Sequence, residues 1–299
     1  MNFITFLGIG KMGLPMANNL ANAGYKVTCW NRTPAKLKNL HPVLAGNSDL
    51  NTAISGADIV ISMLSDGSAT KEVISKLSDT SLSSVKTWIE MASVLPQEAI
   101  DQASYLKKNS IEYLDSPVSG GTVAAKNGNL AIMVGGEENI FQVGGEEKIF
   151  HKTKEIFYPL GRPVLVGPIG TGQLAKLANQ AIVGITIGAV AEAVLLLERG
   201  GADVDAVRDA LSGGFADSTI LQQHGARMSK RNFEPGGSVK TQLKDLKNIQ
   251  KVAKMLDLDL PMLNDVTKRY LTLADNSQNL EKDHSALFIE LLKRNKIKD

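Results

Sequence analysis

The hydrophobic and polar positions along the chain divide it into two parts of different character. In the first part, short apolar runs alternate with segments of helical periodicity, which is typical of a parallel α/β sheet. From Gly170 onward the pattern is almost entirely helical. We therefore predict the α/β fold class, with an N-terminal Rossmann-type doubly wound sheet in residues 1–168 and an all-helical C-terminal domain in residues 169–299.

The first part contains seven apolar runs and four helical segments between them. The runs predict strands over Phe3–Gly8, Lys26–Trp30, Ile59–Met63, Thr87–Met91, Glu112–Asp115, Leu130–Val134 and Val164–Val166. The periodic segments predict helices over Met12–Asn22, Ala35–Leu40, Ala69–Leu77 and Pro96–Asn109. This alternation is what repeated strand–helix–strand units require.

A long apolar helical run over Gln173–Arg199 opens the second part, and we expect it to lie between the two domains. Gly184 and Gly188 lie in its middle. Because glycine lowers helix stability, their presence predicts the close approach of another helix. Five further helices are predicted over Val204–Leu211, Ser218–Lys230, Val239–Leu256, Pro261–Ala274 and Lys282–Lys293.

The first predicted strand runs directly into a glycine-rich turn, Gly8-Ile9-Gly10-Lys11-Met12-Gly13, and then into a helix. In such a unit the first glycine permits a tight turn and the second lets the backbone approach a pyrophosphate. The third lets the helix pack closely on the strand. The free N–H groups of the helix then face the phosphates. This order predicts a dinucleotide site.

The end of the second strand indicates which dinucleotide binds. Enzymes that use NAD carry Asp or Glu there to hold the ribose 2′-hydroxyl. This chain has neutral Asn31, cationic Arg32 and Thr33 instead, which favours a 2′-phosphate. We therefore predict NADP as the cofactor.

Composition narrows the possible partners. The net charge is +2, with 43% hydrophobic and 21% charged residues, which fits a globular protein and implies no nucleic-acid partner. We expect no membrane span and no signal peptide. The single cysteine, Cys29, suits a small core residue in the reducing cytoplasm. The four histidines, His41, His151, His224 and His284, show no metal-ligand spacing, so no metal site is expected.

Lys176 is the best candidate for proton transfer. It lies near the start of the long helix and is the only charged residue between Arg162 and Glu192. A lone lysine in such apolar surroundings is costly unless it has a task or a partner, and partial burial would bring its pKa into a range useful for acid–base catalysis. Asn179 and Gln180 share its helix face. The alternative is a lysine whose ammonium group extends to solvent.

Two more segments carry candidate chemistry. Ser119-Gly120-Gly121 follows a strand and offers a hydroxyl and glycine N–H groups to a small anion, for which a substrate carboxylate is the natural ligand; an ordinary Ser-Gly loop is the alternative. The lysine-rich segment Lys240–Lys247 has the composition of a solvated helix face. A near-repeat, Val134–Phe141 and Val143–Phe150, has no evident function, and we expect only one copy to occupy the strand-to-helix connection.

Four motifs occur in one order: Phe6–Ala17, Asp115–Gly121, Gly170-Thr171-Gly172 with Lys176, and Lys244-Asp245-Leu246. In these motifs the chain resembles the β-hydroxyacid dehydrogenases, which include 3-hydroxyisobutyrate dehydrogenase, tartronate semialdehyde reductase and glyoxylate/succinic semialdehyde reductase. The resemblance spans nearly the whole chain. It departs at several positions: Gln180 stands where the family usually carries Asn, Glu90-Met91-Ala92-Ser93 replaces a more usual Asp-Met-Ser-Thr, and Gly237 stands where similar reductases can carry an aromatic residue.

The resemblance implies roles for individual residues. Lys176 would be the catalytic acid–base. The implied substrate-binding residues are Ser119, Gly120, Gly121, Asn179 and Gln180. The implied cofactor-binding residues are Gly8, Ile9, Gly10, Lys11, Met12, Gly13, Asn31, Arg32, Thr33, Leu64, Ser65, Ser93, Lys244 and Asp245.

The resemblance also implies an activity. We expect an NADP(H)-dependent oxidoreductase that interconverts small hydroxy acids and their aldehyde or keto acids, and that reduces glyoxylate or succinic semialdehyde. Its partner would be a small-molecule carboxylate substrate. Its expected assembly is a homodimer or a homotetramer. The alternatives are a 3-hydroxyisobutyrate dehydrogenase acting oxidatively and a dinucleotide-binding protein without catalysis.

Overall fold

The computed structural model describes residues 3–136 and 153–297. The chain forms two compact units, Met1–Lys176 and Leu177–Asp299, so the division falls inside the long helix. The domain boundary at residues 168/169 stays a prediction. Most of the near-repeat and His151 lie outside the described residues.

The strands of the first unit form one sheet. They are β1 (Phe3–Leu7), β2 (Lys26–Trp30), β3 (Leu44–Gly46), β4 (Ile59–Ser62), β5 (Thr87–Glu90), β6 (Glu112–Asp115), β7 (Val118–Ser119), β8 (Leu130–Gly135) and β9 (Gly161–Gly167). Six neighbours, in the order β3-β2-β1-β4-β5-β6, are parallel. β8 pairs antiparallel with β6 and β7, and β9 pairs parallel with β8. The order of the parallel strands is that of a dinucleotide-binding sheet, which confirms the predicted fold class.

Both faces of this sheet are covered, as its apolar strands require. Phe6 and Ile61 belong to a buried cluster on one face. Leu7, Val60 and Trp88 belong to a second cluster on the other. Cys29 lies in the first cluster with no exposed surface, and burial raises the pKa of its thiol to about 12. This burial confirms the interpretation of Cys29 as a core residue.

The longer helices of the first unit lie where the sequence predicted helices, with ends that differ by a few residues. They are Gly13–Asn22, Gly67–Ser75 and Pro96–Lys107. Three short helices were not predicted, Leu50–Ile54, Asp79–Leu82 and Gly121–Asn127. They are too short to show a helical period. The unpredicted strands β3 and β7 are likewise too short to show the alternation of a strand. The predicted helix Ala35–Leu40 is wrong: Pro34 instead starts a short 3₁₀ helix, Pro34–Leu37, which buries no side chain.

The described elements of the second unit are all helical. They are the continuation of Thr171–Arg199, then Val204–Ala210, Thr219–Ser229, Val239–Met255, Pro261–Ala274 and Leu287–Arg294, with 3₁₀ turns at Ser277–Asn279 and His284–Ala286. The last helix starts later than predicted because Asp283 caps the 3₁₀ turn before it.

The glycines of the long helix confirm the predicted close packing. A Cβ on Gly184 would lie 2.8 Å from Gln242 Nε2 and 3.1 Å from Leu246 Cδ2. A Cβ on Gly188 would lie 3.5 Å from Val266 Cγ2. Small residues here therefore admit the helices Val239–Met255 and Pro261–Ala274.

The long helix departs from one expectation. By length and composition alone it could cross a membrane, whereas the sequence led us to expect no such run. Ile187, Ala191 and Val194 of this helix are buried in the core of the second unit, and the core helix of a folded domain passes the same test.

A buried carboxyl group lies at the end of β5. Glu90 is fully buried, and its Oε1 accepts a hydrogen bond of 2.9 Å from the Ala92 N–H. Burial raises its pKa to about 7, against hydrogen bonds from Thr70, Ala92 and Ser62. Glu90 is therefore largely protonated below neutral pH. Burial also raises the pKa of Asp115 to about 6.

Glu90 should make the protein less stable as the pH rises. Its folded pKa lies above the ordinary value of 4.5, so its contribution is fully present below pH 4.5 and is lost as the pH rises through 7. The loss is at most about 3 kcal/mol. Between pH 6 and 7.5, the free energy of unfolding of Glu90→Gln, measured with urea, should fall less with rising pH than that of the parent protein. This pH range lies above the one in which Asp115 contributes most.

Glu72→Gln is the matched control. Glu72 is exposed, and its hydrogen bond with Lys76 lowers its pKa. Its contribution to stability is therefore lost as the pH falls, at acidic pH, and not as the pH rises through 7. If Glu90→Gln and the parent lose stability equally between pH 6 and 7.5, Glu90 is not the group that titrates.

Candidate functional site

The topology of the sheet sets where a ligand can lie. The parallel strands β1, β2, β4 and β5 all end at one edge, so the segments that follow them lie along that edge. Strand β2 pairs with one side of β1 and β4 pairs with the other side, so the strand order reverses direction at β1. A crevice opens at such a switch point in open α/β sheets, and here the segments after β1 and β4 border it.

The glycine turn after β1 has the geometry that its sequence predicts. Gly8 has a φ of +95°, and a Cβ there would lie 2.5 Å from Met63 O. A Cβ on Gly13 would lie 2.0 Å from Gly8 O, so only glycine lets the helix lie this close to the strand. Nothing lies within 4 Å of the Cβ position of Gly10, which leaves its backbone open to a ligand. No described side chain caps the helix that follows.

A cleft of about 630 Å³ opens over this turn. It is lined by ten of the fourteen predicted cofactor residues, namely Gly8, Gly10, Lys11, Met12, Gly13, Asn31, Arg32, Thr33, Leu64 and Ser65. Ile9 is buried at 3% exposure and is not among the lining residues. The open backbone, the uncapped helix start and the size of the cleft fit a dinucleotide.

Asn31 and Arg32 differ in what they do at this cleft. The Asn31 side chain accepts a hydrogen bond of 3.3 Å from the Ile9 N–H and donates one of 3.2 Å to Thr33 O. Asn31 therefore ties the glycine turn to the end of β2. Arg32 lines the cleft together with Lys36, which the sequence analysis missed. Lys36 lies in the 3₁₀ helix Pro34–Leu37, four residues after Arg32, and with Lys11 it adds positive charge to the cleft for a phosphate group.

Asp115 at the end of β6 fixes the start of the long helix. Its Oδ1 accepts from the Gly170 N–H and its Oδ2 from the Gln173 N–H, both at 2.8 Å. Burial raises its pKa, and these two N–H groups oppose the rise. Lys176 follows Gln173 by three residues and is 9% exposed. Lys176 is therefore buried in the turn that follows the anchored start of the helix.

The Gln173 side chain, which the sequence analysis did not single out, holds the segment after β5. It is fully buried, its Oε1 accepts from the Val94 N–H at 3.0 Å, and its Nε2 donates to Ala92 O at 2.8 Å. Ser93 lies between these two contacts. Gln173 thus fixes a predicted cofactor residue to the turn that carries Lys176. A polar amide in an apolar helix start was the available signal.

The turn Ser119-Gly120-Gly121 has a backbone that only glycine adopts readily. Gly120 has a φ of +132° and Gly121 a φ of +67°. Nothing lies within 4 Å of the Cβ position of Gly121. Its backbone is therefore accessible, as the predicted contact with a carboxylate requires.

The second unit joins the remaining predicted residues in one chain of contacts. Asn179 Nδ2 donates to Gln180 Oε1 at 2.9 Å, and Gln180 Nε2 donates to Asp245 Oδ2 at 2.8 Å. Lys244 Nζ lies 3.4 Å from Asp245 Oδ1. Asp245 is 2% exposed. The residues predicted for substrate and for cofactor thus meet through Gln180 and Asp245.

Family models match nearly the whole chain. One, the NAD binding domain of 6-phosphogluconate dehydrogenase, matches residues 3–170. Another, NAD-binding of NADP-dependent 3-hydroxyisobutyrate dehydrogenase, matches residues 170–291. The matches together run from the first strand to the last helix.

Curated relatives and a solved structure agree with these models. The chain is 38% identical to 2-hydroxy-3-oxopropionate reductase of Escherichia coli, covering 98% of each chain. It is 31% identical to a probable 3-hydroxyisobutyrate dehydrogenase-like protein of Arabidopsis thaliana, covering 90% of this chain and 79% of the relative. Its fold matches that of Mycobacterium tuberculosis 3-hydroxyisobutyrate dehydrogenase with a TM-score of 0.85 at 24% identity, covering 97% and 99%.

Removing the Gln173 amide should destabilise the first unit. Gln173→Leu leaves the Val94 N–H and the Ala92 carbonyl buried without this partner, which should cost about 2–4 kcal/mol of unfolding free energy. Urea unfolding measures the loss, and amide exchange at Val94 should accelerate. The exposed Gln97→Leu is the control and should change stability by less than about 0.5 kcal/mol. Equal stability of Gln173→Leu and the parent would show that these bonds do not hold the segment.

Proposed function

Since the chain belongs to the β-hydroxyacid dehydrogenase family, we propose that it is an NADP(H)-dependent reductase of small acids that carry an aldehyde or keto group. The observation that carries this proposal is the cleft at the end of β1 and β4, with the open glycine turn and the cations Arg32 and Lys36. An acidic residue at the end of β2, which would hold an unphosphorylated ribose, is replaced by Asn31.

The relatives narrow the class of substrate. The name of the E. coli relative adds 2-hydroxy-3-oxopropionate to glyoxylate and succinic semialdehyde as candidates. All three carry a carboxylate and a carbonyl group a few bonds apart. The accessible backbone of Ser119–Gly121 suits the carboxylate, and the buried ammonium group of Lys176 suits the carbonyl oxygen.

The chemistry requires few protein groups. NADPH, when bound, supplies the hydride that the carbonyl carbon accepts. Lys176 donates a proton to the carbonyl oxygen, so that the aldehyde becomes an alcohol, and it regains a proton from solvent. Asp115 and Gln173 hold the helix turn that carries Lys176. Asn179 and Gln180 orient the substrate, and Lys244 and Asp245 contact the cofactor.

An oxidative role is the second candidate. Its support is the match of residues 170–291 to the 3-hydroxyisobutyrate dehydrogenase model and the 31% identity to the Arabidopsis relative. In that direction Lys176 removes the proton from the alcohol. Assays with NADPH and the three aldehyde acids, and with NADP and 3-hydroxyisobutyrate, compare the two roles by kcat/KM. Binding of NADPH without turnover of any of these compounds would favour a non-catalytic protein.

Lys176→Ala should abolish most of the turnover. Loss of a general acid–base lowers kcat by about 10²–10⁴-fold, whereas the Kd for NADPH, measured by fluorescence, should change little. The exposed Lys293→Ala is the matched control and should keep full activity. A Lys176→Ala variant as active as the parent would refute the assigned role.

Arg32→Asp should shift cofactor preference toward NADH. The substitution removes a cation from the cleft and supplies a carboxylate that can accept from the ribose 2′-hydroxyl. The measurement is the ratio of kcat/KM for NADPH and NADH. Lys38→Asp changes charge equally at a nearby residue that is not among those lining the cleft, and should leave the ratio close to that of the parent. An unchanged ratio for Arg32→Asp would contradict a contact with the 2′-phosphate.

A further inference from the structure

Two histidines far apart in sequence meet in the second unit. His224 lies on the helix Thr219–Ser229, and His284 begins the 3₁₀ turn after Asp283. Their Nε2 atoms are 3.2 Å apart, and their rings are nearly perpendicular, at 86°. They are sixty positions apart in the sequence, a separation from which this pair could not be predicted.

The protonation of His284 follows from its neighbour Gln242. Gln242 Nε2 donates to Gln180 O at 3.1 Å, which leaves its Oε1 facing His284 Nδ1 at 3.3 Å. The reverse orientation of the amide would set two carbonyl oxygens against each other. His284 Nδ1 therefore carries the proton, and in the neutral ring Nε2 carries the lone pair.

The other ring, His224, lies beside a buried carboxylate. Its Nδ1 lies 3.4 Å from Oδ1 of Asp283, which is 1% exposed and also accepts from the Ser285 N–H and Oγ. This contact places Nδ1 of His224 against the carboxylate and leaves Nε2 as the ring nitrogen that faces His284.

The two Nε2 atoms thus lie 3.2 Å apart, a separation at which either a proton shared between the rings or a cation bound to both can join them. Two nitrogens at about 2.0–2.1 Å from one tetrahedral ion lie about 3.3–3.4 Å apart, close to the observed separation. A carboxylate or carbonyl that accepts from the other ring nitrogen is the usual support of a metal-binding histidine. Asp283 and Gln242 occupy these places.

We propose that His224 and His284 bind a divalent transition-metal ion of the zinc class through their Nε2 atoms. The His224 side chain is 14% exposed, so an ion can enter from solvent and water can complete its coordination. The ion joins the helix Thr219–Ser229 to the 3₁₀ turn His284–Ala286. This site is structural and independent of the proposed hydride transfer.

The test uses the full-length chain after treatment with a chelator. Calorimetry should show one Zn²⁺ bound per chain, Co²⁺ should give a visible absorption band, and Zn²⁺ should raise the Tm. His224→Gln and His284→Gln should each weaken Zn²⁺ binding at least about tenfold, and Asp283→Asn, which keeps both ligands, by about 10–100-fold. The exposed His41→Gln is the control and should bind as the parent does.

Two results would overturn the proposal. One is the absence of stoichiometric Zn²⁺ binding, or binding that survives both histidine substitutions. The other is a metal-free rise in stability on acidification that His224→Gln removes, without Zn²⁺ binding by the parent. That outcome would mean that a proton shared between the rings, not a metal ion, joins the two histidines.

Discussion

The contact between Asp115 and the start of the long helix is the constraint on which the rest of the candidate site depends. A helix begins with N–H groups that lack intrahelical partners, and here a buried carboxylate from the end of β6 accepts two of them. This contact holds the first turn of the helix, within the first unit, at the end of β6. Gln173 lies on that turn, and Lys176 follows it by three residues.

The same edge of the sheet carries an electrostatic cost. Glu90 and Asp115 end neighbouring strands, and each is buried where a charge is poorly solvated. The carboxylate of Asp115 is stabilised by backbone N–H groups at the helix start, whereas burial raises the pKa of Glu90 to about 7. The difference has a physical basis, because only Asp115 faces the N-terminus of a long helix, where negative charge is favoured. Burial thus raises the pKa of both adjacent carboxyl groups, and the helix N-terminus opposes this rise at Asp115.

The sequence predicted what depends on local pattern. The glycine turn Gly8–Gly13 and the long helices carry their own signals, since a turn that needs glycine and a helix that buries one face both constrain residue type. Gln173 and Lys36 were missed because their roles depend on partners that folding brings near. The pair His224 and His284 was missed for the same reason. The strands β3 and β7 were missed because two or three residues cannot show an alternation.

Gln180 shows how one longer side chain changes the candidate site. Where the family usually carries Asn, Gln180 extends to Asp245 and accepts from Asn179. The extra methylene therefore links helix Thr171–Arg199 to helix Val239–Met255 through a buried carboxylate. The Gln180 side chain also orients its sequence neighbour Asn179, whose amide donates to it. A side chain committed to Asp245 is less able to turn toward a substrate, so we infer that Gln180 acts on the substrate mainly by orienting Asn179 and Asp245.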